Sequence, residues 1–144
     1  QAGFTLQNAE YKKARSWDDG GVKKEKRMFR TPDTYGYFTM TYTPIKPLNI
    51  ALSGTYTGSM LVEHHSGYIE MNRTEKTGKF MDMGLKVSYD FNLFKGTTLQ
   101  LNAGLQNMFN SYQNDFDKGA DRDSGYIYGP GMPRSFFAGV KLSY

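Results

Sequence analysis

The sequence predicts an all-β fold, namely a segment of an antiparallel transmembrane β-barrel with about six long strands. Apolar and polar side chains alternate with a period of two over stretches of about ten residues, the pattern of a strand with one apolar and one polar face. That length matches a tilted strand crossing the hydrocarbon core of a membrane. Long and short connections alternate between the stretches, as in outer-membrane barrels with short periplasmic turns and long extracellular loops.

The clearest alternation lies in the last third of the chain, where strands are predicted over 98–109 and 134–144. In the second of these, polar or small residues and Phe137 alternate with an apolar set. That set is Phe136, Ala138, Val140, Leu142 and Tyr144. The strand predicted over 98–109 carries an apolar set on one face: Leu99, Leu101, Ala103, Leu105 and Phe109.

Four further strands are predicted upstream. Their ranges are 2–17, 35–43, 48–62 and 80–91. Short turns are predicted at 44–47 and 92–97, and longer polar connections elsewhere, with an Asp-Gly turn signal at 18–21.

The charged residues of these strands indicate which face meets lipid. Asp82, Lys86, Asp90 and Lys141 all lie on the polar face. One lysine on the lipid side at the bilayer midplane costs roughly 2–4 kcal/mol. The polar face is therefore predicted to line the lumen. A soluble barrel or sandwich with the apolar face inward stays open as an alternative, because alternation alone does not distinguish them.

The composition agrees with a membrane barrel and excludes some other classes. Aromatic residues make up 15% of the chain, with 11 Tyr and 10 Phe, and interfacial girdles use such residues. One aromatic belt is predicted at Tyr42, Tyr89, Phe91 and Tyr144. The chain has no cysteine, so thiolate metal sites are excluded. The net charge of +4 comes from scattered residues and does not indicate nucleic-acid binding.

Six strands are too few to close a membrane barrel, which needs about eight. Open strand edges are not tolerated in lipid. The chain, which begins at Gln1, is therefore predicted to be a piece of a larger barrel.

Several segments resemble one family. The run Leu105-Gln106-Asn107-Met108-Phe109-Asn110, the loop from Gly125 to Arg134 and the closing strand that ends on Tyr144 are similar to the end of a TonB-dependent outer-membrane receptor. Segments 30–37 and 56–60 are similar to receptors of the vitamin B12 and iron-complex types.

The resemblance implies that residues 1–144 are the C-terminal part of a 22-stranded barrel, without its plug domain. It implies energised uptake of a scarce, large nutrient across the outer membrane of a Gram-negative bacterium. The implied partners are outer-membrane lipid, the missing plug and barrel strands, the TonB complex and the barrel assembly machinery. Val140, Leu142 and Tyr144 would form the assembly signal. The competing hypotheses are a smaller structural or adhesive outer-membrane barrel and a soluble carrier of small ligands.

Candidate ligand-binding residues lie in the last predicted extracellular loop: Tyr126, Tyr128 and Arg122. The two tyrosines are equally compatible with stacking on a ligand and with packing the loop over the barrel mouth.

Closely spaced carboxylates at Asp115, Asp117 and Asp121 suit Ca²⁺ by chemistry, but Gly119 and Ala120 occupy positions where a calcium loop needs a ligand and a glycine. A solvated acidic loop is the preferred interpretation, with no metal or other cofactor.

His64 and His65 are adjacent, so a strand would point them to opposite faces, and both are expected at a polar rim. No nucleophile–base–acid arrangement indicates an enzyme.

Overall fold

Six strands form one antiparallel sheet, in which all but the first are long, and four further short strands form two hairpins. The computed structural model describes residues 1–18 and 22–144. The strands are β1 (Ala2–Leu6), β2 (Glu10–Arg15), β3 (Glu25–Arg27), β4 (Thr34–Ile45), β5 (Leu48–Thr57), β6 (Leu61–His64), β7 (Arg73–Lys76), β8 (Phe80–Phe94), β9 (Thr97–Gln106) and β10 (Ser135–Ser143). The large sheet has the order β1-β4-β5-β8-β9-β10. The prediction of an all-β protein built on antiparallel strands is confirmed.

The register places apolar side chains on one face across the whole sheet. Leu52 of β5 pairs with Leu85 of β8, which pairs in turn with Leu105 of β9. Leu105 pairs with Phe136 of β10. On the other side of β5, Leu52 pairs with Met40 of β4. Because a slip of one residue would move a whole strand's apolar set to the other face, this register is the one that keeps the apolar face continuous.

The opposite face is polar and carries the charged residues of the long strands. Asp82 pairs with Thr55, Lys86 with Ala51, and Lys141 with Gln100. The amide Nε2 of Gln100 donates a hydrogen bond of 2.7 Å to Asp90 Oδ1. The predicted separation of the two faces is therefore confirmed.

The short turns lie together at one end of the sheet. Lys46 and Pro47 connect β4 to β5, and Lys95 and Gly96 connect β8 to β9, with a left-handed φ of 83° at Gly96. The connections at the other end span 7–33, 58–79 and 107–134. The alternation of short and long connections is confirmed. Asp19 to Gly21, within the predicted turn at 18–21, lie outside the described residues.

Two predicted strands are interrupted. The range 2–17 divides into β1 and β2, and 48–62 divides into β5 and β6. The pairing of β1 with β4 ends at Leu6 opposite Thr34, and the Gln7 amide makes a last backbone hydrogen bond of 2.8 Å to the Asp33 carbonyl. The Gln7 side chain donates to the next carbonyl, that of Pro32, at 2.9 Å.

The long connections also contain structure that the sequence does not predict. β2 pairs with β3 from Glu10 opposite Arg27, and β6 pairs with β7 from Leu61 opposite Lys76. The buried apolar residues of the described chain are Met60, Val62, Phe80 and Tyr126. Three of these four lie in the long connections, so the packed core is above the sheet rather than within it.

The ring of Phe137 lies over Gly104, its partner across β9 and β10 on the polar face. A Cβ at Gly104 would stand 2.3 Å from Phe137 Cζ and 2.6 Å from the Leu85 carbonyl oxygen. The glycine therefore admits both the ring and the neighbouring backbone, which is the close approach that strand glycines permit.

Both outer edges of the sheet are open: within the described residues, β1 and β10 each pair with one strand only. No helix among these residues is long and apolar enough to cross a membrane.

Candidate functional site: the loop cap

The three long connections pack against one another at the same end of the sheet. We call this unit the loop cap and define it as 7–33, 58–79 and 107–134. Antiparallel pairing brings the connections to one end, because the short turns occupy the other. The cap contains the buried cluster of Met60, Val62 and Tyr126, with Tyr128 packed against it.

A buried histidine and aspartate join two of these connections. His64 Nε2 lies 3.0 Å from both carboxylate oxygens of Asp117, and both side chains are almost completely buried. The amide of Asp123 donates a second hydrogen bond to Asp117 Oδ2 at 2.9 Å. Hydrogen bonds to a charged group are stronger than those between neutral groups. Leaving a buried donor or acceptor without its partner costs free energy of folding.

The imidazole of His64 also stacks on a tyrosine ring. Its centroid lies 3.7 Å from that of Tyr126, and the two planes differ by 5°. Nδ1 of His64 makes no hydrogen bond within the described residues, and its nearest carboxylate oxygen is Glu75 Oε1 at 3.9 Å. These contacts of the imidazole are to the cap itself, so His64 holds the last loop in place.

Two tyrosines share one carboxylate. The hydroxyls of Tyr126 and Tyr128 donate to Asp115 Oδ2 and Oδ1 at 2.8 and 2.6 Å. Desolvation raises the pKa of Asp115, but the hydrogen bonds from Tyr128 and Tyr126 outweigh it and hold that pKa below 3.8. Burial, followed by the bond to Asp115, raises the pKa of Tyr128 to about 12 and that of Tyr126 further. The carboxylate therefore stays ionised and the phenols stay neutral across the physiological range.

The fully buried amide of Gln113 stiffens the segment that carries both tyrosines. Its Nε2 donates to the Tyr126 carbonyl at 3.0 Å, and its Oε1 accepts from the Tyr128 amide at 3.0 Å. The side chain thus satisfies two buried backbone groups that no strand reaches.

Arg30 joins all three connections. Its Nε donates to Glu63 Oε2 at 3.1 Å, while Nη2 and Nη1 donate to the carbonyls of Gly125 and Ile127 at 2.7 and 3.3 Å. Trp17 adds a hydrogen bond of 3.0 Å from Nε1 to Thr74 Oγ1. These contacts make the cap one connected unit rather than three independent loops.

Asn107 holds both ends of the last loop. This buried residue directly follows β9 and has a left-handed φ of 46°, a conformation that asparagine tolerates. Its Nδ2 donates to the carbonyls of Ser111 and Met132, and its Oδ1 accepts from the Ser111 amide. The predicted strand over 98–109 is therefore too long, because Asn107 turns the chain away.

A cavity of about 410 Å³ lies between the polar face and the end of this loop. Ser53, Thr55, Asp82 and Gln106 line the side of the sheet, and the segment 130–133 lines the side of the loop. Hydroxyl, amide and carboxylate groups thus face a space that a small polar molecule fits.

Of the predicted ligand-binding residues, Tyr126 and Tyr128 are brought together and Arg122 is not. The tyrosines support the packing alternative, since their hydroxyls and rings are engaged within the cap. Arg122 is exposed and donates from Nη1 to the Gly119 carbonyl at 3.1 Å. The predicted assembly residues Val140, Leu142 and Tyr144 are exposed at the β10 end of the apolar face.

The acidic loop is solvated in part, as the sequence suggests. Asp121 is exposed, and so is Asp115, although its carboxylate accepts from two tyrosine hydroxyls. Asp117 is instead buried against His64. No group of three or more His, Asp or Glu residues suited to a metal ion occurs in the described part of the chain. The expectation of two rim histidines is wrong for His64, which is buried, and holds for exposed His65.

The sequence did not identify His64, Gln113 or Asn107 as organising residues. The one available signal was Asn107, since asparagine after a strand indicates a left-handed turn. No family model, curated protein or solved structure matches the chain.

Proposed function

We propose that the chain is a segment of a transmembrane β-barrel that belongs to an outer-membrane receptor of the TonB-dependent class. In this proposal the apolar face meets lipid, the polar face lines the lumen and the loop cap lies on the extracellular side. The receptor would take up a scarce, large nutrient with energy delivered through the plug and TonB complex.

The observation that carries the proposal is the uninterrupted apolar face. It spans all six strands of the sheet, about 29 Å at a spacing of about 4.8 Å per strand. Its side chains include Phe136 and Val140, exposed by 78% and 69%. Soluble monomers rarely expose contiguous apolar patches of more than a few hundred Å². A face of this size needs a partner, and lipid suits a broad apolar surface that contains no charge.

The height of the face also supports lipid as its partner. In β8 the apolar residues run from Met81 to Phe91, and ten residue steps at about 3.4 Å give about 34 Å along the strand. A tilt of about 40° reduces this to about 26 Å along the membrane normal, close to the apolar band of about 25 Å in outer-membrane barrels. Tyr89 and Phe91, with ring centroids 4.7 Å apart, lie at the turn end of that band.

The open edges support the larger assembly. β1 and β10 have unpaired outer edges, which lipid does not tolerate. We propose that further strands of the parent chain pair with both edges and close the barrel.

Fractionation of the full-length parent protein tests the proposal. The protein is expected in the outer membrane, and its unheated form is expected to migrate faster on a detergent gel than its heated form. Recovery as a water-soluble periplasmic protein would favour the soluble-carrier alternative, in which the apolar face is turned inward.

A further inference from the structure

The net charge of the chain is concentrated in the first hairpin. The β2–β3 hairpin, residues 10–27, contains seven Lys or Arg residues and four Asp or Glu residues, a difference of +3. The other residues contain eleven basic and ten acidic residues, a difference of +1, since the whole chain has 18 and 14. Most of the net positive charge of the protein is therefore local to the β2–β3 hairpin.

The lysines of this hairpin are available to an external partner. Lys12, Lys13, Lys24 and Lys26 are exposed, and no carboxylate among the described residues pairs with them. In contrast, Arg27 is paired with Asp33, and the guanidinium of Arg15 lies 5.4 Å from the centre of the Tyr11 ring. Four unpaired ammonium groups on one short hairpin make a strong local positive potential.

The hairpin follows β1, the first strand of the apolar face, after a short connection. Phe4 and Leu6 of β1 are exposed by 66% and 75%, and Glu10 begins β2 four residues after Leu6. Four residues span at most about 14 Å. In the proposed orientation the cationic hairpin thus begins within about 14 Å of the end of the lipid-facing band, next to the headgroup region.

We propose that the β2–β3 hairpin binds the phosphate groups of an anionic lipid leaflet beside the barrel. The inference rests on the proposed membrane location and goes beyond it, because the apolar face alone requires no lipid charge. Lysine ammonium groups are compact, hydrated charges that suit a fluid array of phosphates better than one fixed ligand.

Vesicle binding of the full-length parent protein tests this inference. Flotation would compare phosphatidylcholine vesicles with vesicles that also contain phosphatidylglycerol, at low and at physiological salt. The hairpin variant replaces all four lysines by glutamine: Lys12→Gln, Lys13→Gln, Lys24→Gln and Lys26→Gln. The control removes four exposed lysines elsewhere: Lys46→Gln, Lys79→Gln, Lys95→Gln and Lys118→Gln.

The anionic lipid is expected to strengthen binding of the parent chain and of the control, and salt is expected to weaken this gain. Each lysine near an anionic surface contributes roughly five-fold to binding. The hairpin variant is therefore expected to lose at least about ten-fold of the gain, while its binding to phosphatidylcholine alone is unchanged.

Two results would overturn the inference: no gain from the anionic lipid, or an equal loss in the hairpin variant and the control. Failure of the proposed function has a different signature. In that case the full-length parent protein would be recovered in the water-soluble fraction instead of the outer membrane.

Discussion

The imidazole of His64 lies between Asp117, at 3.0 Å from Nε2, and the parallel ring of Tyr126, at 3.7 Å between centroids. This contact joins the β6–β7 hairpin to the last loop in a region where no strand pairing connects them. The arrangement of the loop cap therefore depends on side chains, and single substitutions are expected to loosen it without unfolding the sheet.

The first prediction concerns the carboxylate of this contact. Asp117→Ala removes the acceptor of His64 Nε2 and of the Asp123 amide. Leaving buried donors unsatisfied costs roughly 1–3 kcal/mol, so hydrogen exchange across 107–134 is expected to speed up roughly 5- to 150-fold. Asp121→Ala, in an exposed position of the same loop, is expected to leave exchange unchanged. Equal protection in both variants would show that the buried pair does not hold the loop.

A second variant separates stacking from hydrogen bonding. His64→Phe keeps an aromatic ring against Tyr126 but cannot donate to Asp117. If the hydrogen bond dominates, exchange in His64→Phe should approach that of Asp117→Ala. Exchange close to that of the parent chain would assign the stability of the contact to the stacked rings.

The predictability of the fold follows from the same distinction. Strand faces could be predicted because a period of two separates Val140 from Lys141 over the whole strand, and pairing such as Leu85 with Leu105 follows from keeping one face apolar. The ends of the strands could not be predicted from this pattern, because they depend on the conformation and hydrogen bonds of single residues. The last backbone bond between β1 and the segment before β4 runs from the Gln7 amide to the Asp33 carbonyl, and Asn107 adopts a left-handed φ.

The loop cap was harder to predict because its contacts are polar and distant in sequence. His64 and Asp117 are 53 positions apart, and neither lies in a periodic pattern. The acidic stretch suggested solvation because composition does not reveal that Tyr126 and Tyr128 converge on Asp115. The pair of tyrosines was recognised as important, but their packing role required the geometry.

The shared carboxylate predicts a dependence on pH at both extremes. The pKa of Asp115 in the folded protein lies below 3.8, so its contribution to stability is present above pH 3.8 and is lost as the pH falls through the lowered value. The pKa of Tyr128 is raised from 10.0 to about 12, so its contribution is present below pH 10.0 and is lost between 10.0 and about 12.

Urea unfolding of the chain in detergent micelles, repeated across a range of pH, measures the loss of stability at acid pH and the loss at alkaline pH. Tyr128→Phe is expected to reduce the loss of stability between pH 10.0 and about 12, because it removes the proton that the folded state retains. Tyr112→Phe, in the same loop, is the control. If Tyr128→Phe and the parent lose the same stability between pH 10.0 and about 12, a group other than Tyr128 causes the loss.

The glycine under Phe137 gives a prediction for the sheet itself. In Gly104→Ala the new methyl group would stand 2.6 Å from the Leu85 carbonyl oxygen, so the backbone must shift. Overpacking of this kind costs about 1–3 kcal/mol, visible as a lower urea midpoint in micelles. Gly84→Ala is the matched control on the same face, where the nearest atom is Ser53 Oγ at 3.3 Å and that side chain rotates freely. Equal midpoints for the two variants would contradict the close approach.

The final prediction tests which face of the sheet meets lipid. Val140 and Lys141 are neighbours in β10, and their partners Leu101 and Gln100 lie on opposite faces of β9. If the apolar face is in lipid, Val140→Arg places a charge there at a cost of roughly 2–4 kcal/mol near the midplane. The parent protein with this change is expected to reach the outer membrane at a much lower level and to lose its heat-modifiable form. Lys141→Ala removes a charge from the lumen side and is expected to insert normally. Because the two substitutions are adjacent, a general sensitivity of β10 would affect both. Tolerance of Val140→Arg together with loss of Lys141→Ala would instead invert the assignment, so that the side carrying Val140 lines the lumen and the side carrying Lys141 meets lipid.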